Sequence, residues 1–323
     1  MTPYRAPRWL PGGHLQTLYA ALLAPRAQVA FQRERWDTPD GDFIDLDWTD
    51  PARGRNNGNP LVVLFHGLEG GSTSPYATAL MATAVARGWV GVVVHFRGCG
   101  GELNRLPRAY HSGDSAEINW ILRRLKSETG ASLHAAGVSL GGNALLKWLG
   151  EQEMAAKSVI DAAAAISAPV DLMIAGDALG KGFNRIYTWN FLTTMRHKTL
   201  AKLVLFPDLC DRNRVLAART LRDFDDIVTA PLHGYRDTDD YWTRASAKPL
   251  LRRIAVPTLM INARNDPFLP AAALPDAHEL STAVTVEFPA TGGHVGFVSG
   301  GFPGNLDWLP QRLLKFFQAH ATA

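Results

Sequence analysis

The sequence has 323 residues, of which 46% are hydrophobic, enough to form one large core. Its 33 basic and 30 acidic residues leave a net charge of +3, and its longest basic clusters are single pairs such as Arg123–Arg124. This distribution argues against a nucleic-acid-binding surface, which needs a concentrated basic face. The two cysteines, Cys99 and Cys210, lie far apart without CxxC spacing, which argues against a disulfide framework and a thiolate zinc site.

The N-terminal segment does not have the pattern of a secretory signal, because Pro11–Gly13 interrupts it soon after its first arginines. The apolar stretch Leu18–Pro25 is far shorter than the roughly 20 residues that span a bilayer. We therefore expect a soluble cytoplasmic protein. Two interpretations of the segment remain open, packing on the body of the protein or contact with a membrane. Either would use its apolar side chains, which are Trp9, Leu10, Leu15, Leu18, Leu22 and Leu23.

The pattern of elements predicts a mostly parallel sheet. Val29–Trp36 and Phe43–Trp48 flank Asp40–Gly41, which predicts two antiparallel strands at one edge, and a polar loop follows over 51–60. Short apolar runs then alternate with helical segments, as in a sheet covered by helices on both faces. The predicted strands are Leu61–Phe65, Val90–Val94, Leu133–Val138, Val159–Ile166, Val256–Asn262 and Val284–Phe288. The predicted helices are Pro75–Arg87, Asp114–Lys126, Leu140–Leu149 and Leu309–Phe317.

The stretch 169–245 interrupts this alternation. It is rich in charged and aromatic residues, has no clear buried strand, and contains two helical segments, Asn190–Leu205 and Arg214–Ile227. Nothing in its composition resembles a flexible linker. We therefore expect one domain over 1–323, with 169–245 as a helical cap inserted over an active site.

Ser139 is the candidate nucleophile. It is the central residue of Gly137-Val138-Ser139-Leu140-Gly141, a G-x-S-x-G motif that lies between an apolar strand and an apolar helix. This is the setting of a nucleophile elbow, in which a tight turn raises the serine hydroxyl above the sheet beside a helix N-terminus. The motif alone also fits a glycine-rich turn with an N-cap serine, so the assignment depends on finding partners for Ser139.

A second glycine-rich loop predicts the oxyanion hole. His66-Gly67-Leu68-Glu69-Gly70 follows the strand Leu61–Phe65. In a fold with a nucleophile elbow, one donor is the amide after the nucleophile, here Leu140, and the other comes from the loop after an earlier strand. We predict Leu68 as the second donor. His66 suits a hydrogen bond that orients the loop better than the role of catalytic base, and it is also a candidate to line the substrate pocket.

The remaining partners are expected after later strands. Asp266 follows Val256–Asn262, and His294 follows Val284–Phe288 in a Gly-Gly-His turn. The order Ser139, Asp266, His294 is the one used by α/β-hydrolases, with His294 as base and Asp266 orienting its ring. His111 is a further candidate for the pocket lining. The alternative acids lie in the insertion and are Asp237, Asp239 and Asp240.

Together these motifs resemble the YheT-like branch of the α/β-hydrolases, which is related to the ABHD-type esterases and lipases of eukaryotes. The motifs around the three candidate catalytic residues are shared by the whole superfamily, and the blocks at 9–18 and 110–113 narrow the resemblance. The blocks that carry it are WLPGGHLQTL at 9–18, HGLEG at 66–70, FRGCG at 96–100, YHSG at 110–113, GVSLGGN at 137–143, NDP at 265–267 and GGHVGF at 292–297.

The resemblance implies an α/β-hydrolase fold and hydrolysis of a small-molecule acyl ester through an acyl-enzyme, with neither a cofactor nor a metal. Some eukaryotic relatives carry an H-x-x-x-x-D acyltransferase motif, but no histidine here has that spacing. Two alternatives stay open. One is a lipase or phospholipase acting on lipid esters at a membrane surface, and the other is a homologue that binds ligands without catalysis.

Overall fold

The computed structural model describes residues 3–52 and 58–321, so that 53–57 of the predicted polar loop lie outside the described residues. It contains an eight-stranded sheet in the order β1-β2-β4-β3-β5-β6-β7-β8. β2 is antiparallel to both β1 and β4, and all other neighbours are parallel. The predicted fold class is confirmed. The strands are β1 Gln32–Asp37, β2 Phe43–Trp48, β3 Leu61–Phe65, β4 Val90–His95, β5 Leu133–Val138, β6 Ala162–Ile166, β7 Thr258–Ile261 and β8 Val284–Glu287.

Helices cover the sheet and fill the stretch between β6 and β7. We call α5 to α10 the insertion helices; a π-helical turn, Asp225–Thr229, lies among them. The helices are α1 Gly13–Leu22, α2 Pro75–Ala86, α3 Ser115–Thr129, α4 Leu140–Gln152, α5 Leu172–Leu179, α6 Arg185–Leu205, α7 Arg212–Ala217, α8 Leu221–Phe224, α9 Ala230–Leu232, α10 Thr238–Ala245 and α11 Trp308–Gln318.

Burial explains why the central strands form where the apolar runs lie. All residues of β3, β5 and β6 are buried, because helices pack on both faces of the sheet. On one face α11 buries Leu313 and Phe317 in the same cluster as Leu64 of β3. Each such side chain contributes about 1.5–3 kcal/mol when it leaves water.

Most predicted boundaries differ from the structure by one to five residues, and at two places the physical cause of a difference is visible. The predicted strand Val159–Ile166 begins only at Ala162, because Asp161 makes a turn in which its carboxylate accepts from the Leu133 amide. The predicted helix Arg214–Ile227 is broken, because Thr220 starts a new helix through a capping box with Asp223. In both places a short polar side chain bonds to nearby backbone and ends the regular element.

Arg97 is the centre of a buried ionic cluster beside the sheet edge. Its guanidinium lies 2.6 Å from Glu117, 2.8 Å from Asp40 and 3.0 Å from Asp42. Asp42 also accepts from the side chain of Asn104. The cluster joins the β1–β2 hairpin to α3. Glu117 has a second, more distant cation in Arg108 at 3.8 Å, whereas Asp42 pairs with Arg97.

Replacing Arg97 with methionine should lower the free energy of unfolding by about 3–5 kcal/mol, because Asp42 would stay buried without its ion-pair partner and Glu117 would lose its closer one. Urea unfolding at neutral pH measures the loss. Arg87→Met removes an exposed arginine and should change the value by less than about 0.5 kcal/mol. Equal losses in the two variants would contradict the role of the cluster.

The same comparison should depend on pH. Burial raises the pKa of Asp40, but the hydrogen bonds from Arg97 and Thr38 outweigh burial and lower this pKa to about 2. A carboxylate with a lowered pKa stabilises the fold at pH values above its unfolded-state pKa of about 3.9. This stabilisation is lost as the pH falls through the folded-state pKa. The stability difference between wild type and Arg97→Met should therefore shrink between about pH 4 and pH 2.

Candidate active site

Ser139 lies in a strained turn between β5 and α4. Its φ of 50° and ψ of −119° are rare for a residue with a side chain. The turn is closed by glycines, because a Cβ on Gly137 would lie 2.5 Å from the Gly141 carbonyl oxygen. A Cβ on Gly141 would lie 2.5 Å from the carbonyl oxygens of Phe65 and His66. The end of β5, the start of α4 and the end of β3 are thus in backbone contact.

The three residues Ser139, His294 and Asp266 form one hydrogen-bonded row. The Ser139 Oγ lies 3.0 Å from His294 Nε2, and His294 Nδ1 lies 2.8 Å from Asp266 Oδ2. The Asp266 carboxylate is buried, and its other oxygen accepts from the Phe268 amide at 2.8 Å. The Phe268 ring stacks on the imidazole at a centroid distance of 4.2 Å. This geometry allows His294 to take the serine proton while Asp266 orients its ring.

The alternative acids have other partners. Asp237 accepts from the backbone amide of Asp240 and caps the N-terminus of α10. Asp239 pairs with Arg222 on the surface, and Asp240 pairs with Arg236. Each of these side chains already has a structural role away from His294.

The predicted oxyanion donors line the cavity beside Ser139. Within the described residues, the amides of Leu68 and Leu140 have no hydrogen-bond partner, so both are available to a ligand oxygen. Gly67 brings the loop close, since a Cβ at this position would lie 3.2 Å from the Ser139 Cβ. Two free amides beside the hydroxyl suit an anionic oxygen.

Three side chains, from α2, from the loop before α3 and from α6, hold the HGLEG loop in place. We call this loop, residues 66–70, the oxyanion loop. The Tyr76 hydroxyl accepts from the Gly67 amide at 3.0 Å, and the Tyr110 hydroxyl accepts from the Glu69 amide at 2.9 Å. The Glu69 carboxylate in turn pairs with Lys198 of α6 at 2.8 Å. Tyr76 and Lys198 were not among the predicted site residues, because no local sequence pattern marks either as a loop contact. The insertion helices are thus bonded directly to the residue that follows Leu68.

His66 is not part of the pocket lining, and that prediction is wrong. The side chain is fully buried below the loop, where Nε2 accepts from the Phe96 amide at 3.1 Å. Nδ1 lies 2.7 Å from the Gly67 carbonyl oxygen, to which it donates. Burial lowers the pKa of His66 to about 3, so the ring is neutral and orients the loop.

His111 does line the cavity, as predicted. Its Nδ1 accepts from the Gly113 amide at 3.2 Å, and its ring lies 4.2 Å from the ring of His233. Burial lowers the pKa of His111. A neutral imidazole at this position adds little charge to the cavity wall.

Asn143 joins the insertion to α4, the helix that follows Ser139. Its side-chain nitrogen donates to the carbonyl oxygens of Ser112 and Ala245, each at 2.8 Å, and its oxygen accepts from the Ala247 amide at 3.0 Å. The Tyr241 hydroxyl accepts from the Ser112 amide at 2.9 Å. These bonds join α4 both to the YHSG block at 110–113 and to the end of α10.

A cavity of about 590 Å³ opens onto Ser139. Its walls are mainly apolar and come from two layers of the molecule, the sheet with the helices that cover it and the insertion helices. A space of this size accommodates an extended apolar group bound next to the serine. Representative lining residues are Leu64, Leu309 and Leu313 from the first layer, and Leu172, Ala175 and Met195 from the second.

Comparison with known proteins places the chain in a family. Residues 60–301 match the α/β hydrolase fold family. YheT of Escherichia coli K12 is 41% identical over 96% of this chain and 91% of its own length. The chain belongs to the YheT-like branch of the α/β-hydrolase family. Phospholipase ABHD3 of Mus musculus is 31% identical over 94% of this chain and 75% of ABHD3.

A solved structure has the same fold at low sequence identity. The esterase Pf2001 of Pyrococcus furiosus superimposes with a TM-score of 0.57 and 14% identity, over 92% of this chain and 99% of that chain. The family predicted from the sequence motifs is therefore confirmed by sequence, and the fold by structure.

Two further features concern membranes and metals. Across residues 3–52 and 58–321, none of the helices is both long enough and apolar enough to cross a bilayer. In the same ranges, no three His, Cys, Asp or Glu side chains are grouped as metal ligands. Cys99 and Cys210 are free thiols.

Replacing Gly141 with alanine should disturb the site because its methyl group would press on the backbone at the end of β3. We expect a loss of about 1–3 kcal/mol in the free energy of unfolding, as for other overpacking changes. Urea unfolding measures it. Gly301→Ala is the matched control, since a Cβ there meets nothing within 4 Å. An unchanged stability in Gly141→Ala would show that the elbow is not tightly closed.

Proposed function

We propose that this protein hydrolyses carboxylic esters, with Ser139 as nucleophile, His294 as general base and acid, and Asp266 as the orienting carboxylate. The hydrogen-bonded row from Ser139 through His294 to Asp266, at the wall of an apolar cavity, is the observation that carries the proposal. The names of relatives support it, since ABHD3 is a phospholipase. The free cysteines agree with our further proposal that the protein works in the cytoplasm.

The reaction has two steps. In the first, Ser139 Oγ attacks the ester carbonyl carbon as its proton passes to His294 Nε2, and the amides of Leu68 and Leu140 stabilise the negative oxygen. His294 then gives the proton to the departing alcohol, which leaves an acyl group on Ser139. In the second step His294 activates a water molecule, which releases the acid and restores the serine.

The cavity limits the class of substrate. Its largely apolar walls favour an acyl ester with an extended apolar part, because burying such a part is favourable at about 25 cal/mol for each Å² of apolar surface. We propose that the insertion helices act as the cap over this substrate. Their bond from Lys198 to Glu69 then ties the cap to the oxyanion loop.

Ser139→Ala should lower kcat for p-nitrophenyl butyrate by at least about 10⁴-fold, because no other hydroxyl occupies the position of attack. It should also abolish labelling by a fluorophosphonate probe while the unfolding transition is retained. Ser158→Ala, which changes an exposed serine, should keep full activity. If the wild type is neither labelled nor active, the homologue that binds ligands without catalysis is the correct interpretation.

A second candidate function is that of a lipase or phospholipase at a membrane surface. Leu22 of α1 and Ile186 and Trp189 of α6 line the cavity and are also 67%, 53% and 65% exposed. We call these three residues the apolar rim. Neither α1 nor α6 contains an acidic residue, and α6 carries several basic ones. An apolar rim without acidic neighbours on its two helices, and with the exposed Arg185 next to Ile186, suits the surface of an anionic bilayer.

The double variant Leu22→Ser with Trp189→Ser should distinguish this candidate from a soluble esterase. On vesicles of anionic phospholipid its rate should fall at least about 10-fold, since each lost side chain removes apolar surface that enters the bilayer. On p-nitrophenyl butyrate it should stay within about 3-fold of wild type. Val204→Ser changes an exposed apolar residue of α6 outside the cavity lining and is the control. Equal losses on both substrates would exclude a membrane role for the rim.

A further inference from the structure

We propose that Gln16 and Thr17 of α1 are positioning residues that hold the loops carrying Asp266 and His294 in register with Ser139. The proposal rests on the function proposed above. We call residues 262–268 the acid loop and residues 290–296 the histidine loop. Helix α1 precedes the segment that matches the α/β hydrolase fold family, so the positioning comes from outside that segment.

Gln16 joins three segments through one side chain. Its Oε1 accepts from the Gly292 amide at 2.8 Å and from Asn265 Nδ2 at 3.0 Å. Its Nε2 donates to the Leu10 carbonyl oxygen at 2.9 Å. The side chain is 1% exposed, so these bonds have no competition from bulk water. A single carboxamide therefore sets the distance between the acid loop and the histidine loop.

Thr17 holds the histidine itself. The His294 amide donates to Thr17 Oγ1 at 2.8 Å, and the same hydroxyl donates to the Gly13 carbonyl oxygen at 2.8 Å. The two loops are also linked directly, because the Gly293 amide donates to Asn265 Oδ1 at 3.1 Å. The backbone amides of Gly293 and His294 are thus fixed by groups of the acid loop and of α1, respectively.

Close backbone contact makes these bonds specific. A Cβ on Gly13 would collide with the Asn265 carbonyl oxygen. A Cβ on Gly293 would lie 2.7 Å from the Gly13 carbonyl oxygen, and one on Gly296 would lie 2.7 Å from the Gln16 carbonyl oxygen. The helix and both loops approach each other as closely as backbone allows, which leaves no space for an alternative register.

The burial pattern of α1 argues against a merely structural helix. A helix that packs for stability buries its leucines and exposes its polar residues. Here Leu15, Leu22 and Leu23 are exposed, whereas Gln16 and Thr17 are buried. The helix presents hydrogen-bonding groups to the site and leaves much of its apolar surface outside. Its contribution is therefore the placement of loops, which matters because a misplacement of about 1 Å can cost about 100-fold in rate.

The test compares isosteric changes that remove only the hydrogen bonds. Thr17→Val and Gln16→Met should each lower kcat for p-nitrophenyl butyrate by about 10- to 100-fold, with KM changed less than about 3-fold. Thr17→Ser keeps the hydroxyl and should restore kcat to within about 3-fold of wild type. Tyr19→Phe removes a hydroxyl-to-carbonyl bond from the same helix on its far side, and should leave kcat unchanged.

A second readout needs no ester. The proton between His294 Nδ1 and Asp266 should give a low-field NMR resonance in wild type, and this resonance should weaken in Thr17→Val and return in Thr17→Ser. Unchanged kcat and resonance in Thr17→Val and Gln16→Met would overturn the proposal, as would activity lost only in proportion to unfolded protein. If the resonance responds but the wild type cleaves no ester, the positioning stands and the proposed function fails.

Discussion

The contact between the start of α4 and the end of β3 is the constraint on which the site depends. Gly141 lies against the carbonyl oxygens of Phe65 and His66, with no space for a side chain between them. This contact forces the strained conformation of Ser139 and brings the HGLEG loop beside it. Ser139 and the candidate oxyanion donors are therefore positioned by the same packing of backbone on backbone. The strain is tolerated because fully buried strands surround the turn.

Hydrogen-bonded polar side chains connect the rigid turn at Ser139 to the insertion helices. Asn143 links α4 to Ser112 and to the C-terminal end of the insertion, and Lys198 links α6 to Glu69 in the oxyanion loop. His66 lies beneath the loop as a neutral ring. Buried groups of this kind are costly to separate, since each broken bond leaves an unsatisfied partner. The insertion is consequently coupled to the site rather than resting loosely above it.

Features that depend on local pattern were the ones that the sequence predicted well. The apolar runs predicted the sheet, and the strand ends predicted which loops would carry Ser139, Asp266 and His294, because parallel strands end at one edge. His66 was assigned to the wrong place as a pocket residue, since the direction of a side chain in a loop depends on its hydrogen bonds. Lys198 was missed because nothing nearby in sequence distinguishes it from other basic residues. Gln16 and Thr17 stood out only as part of the block at 9–18 that carries the family resemblance, and their partners in the acid and histidine loops lie more than 240 positions further along the chain.

That separation has a consequence for biosynthesis. The bonds from α1 to the histidine loop join residues 276 and 277 positions apart, so two distant segments of the chain meet at His294. A nascent chain can form the elbow and most of the sheet while its last segment is still in the ribosome, because domains fold progressively during synthesis. Ser139 then lacks its hydrogen bond to His294, and α1 lacks its bonds to the histidine loop. The hydrogen-bonded row of Ser139, His294 and Asp266 can therefore form only after the histidine loop has been synthesised.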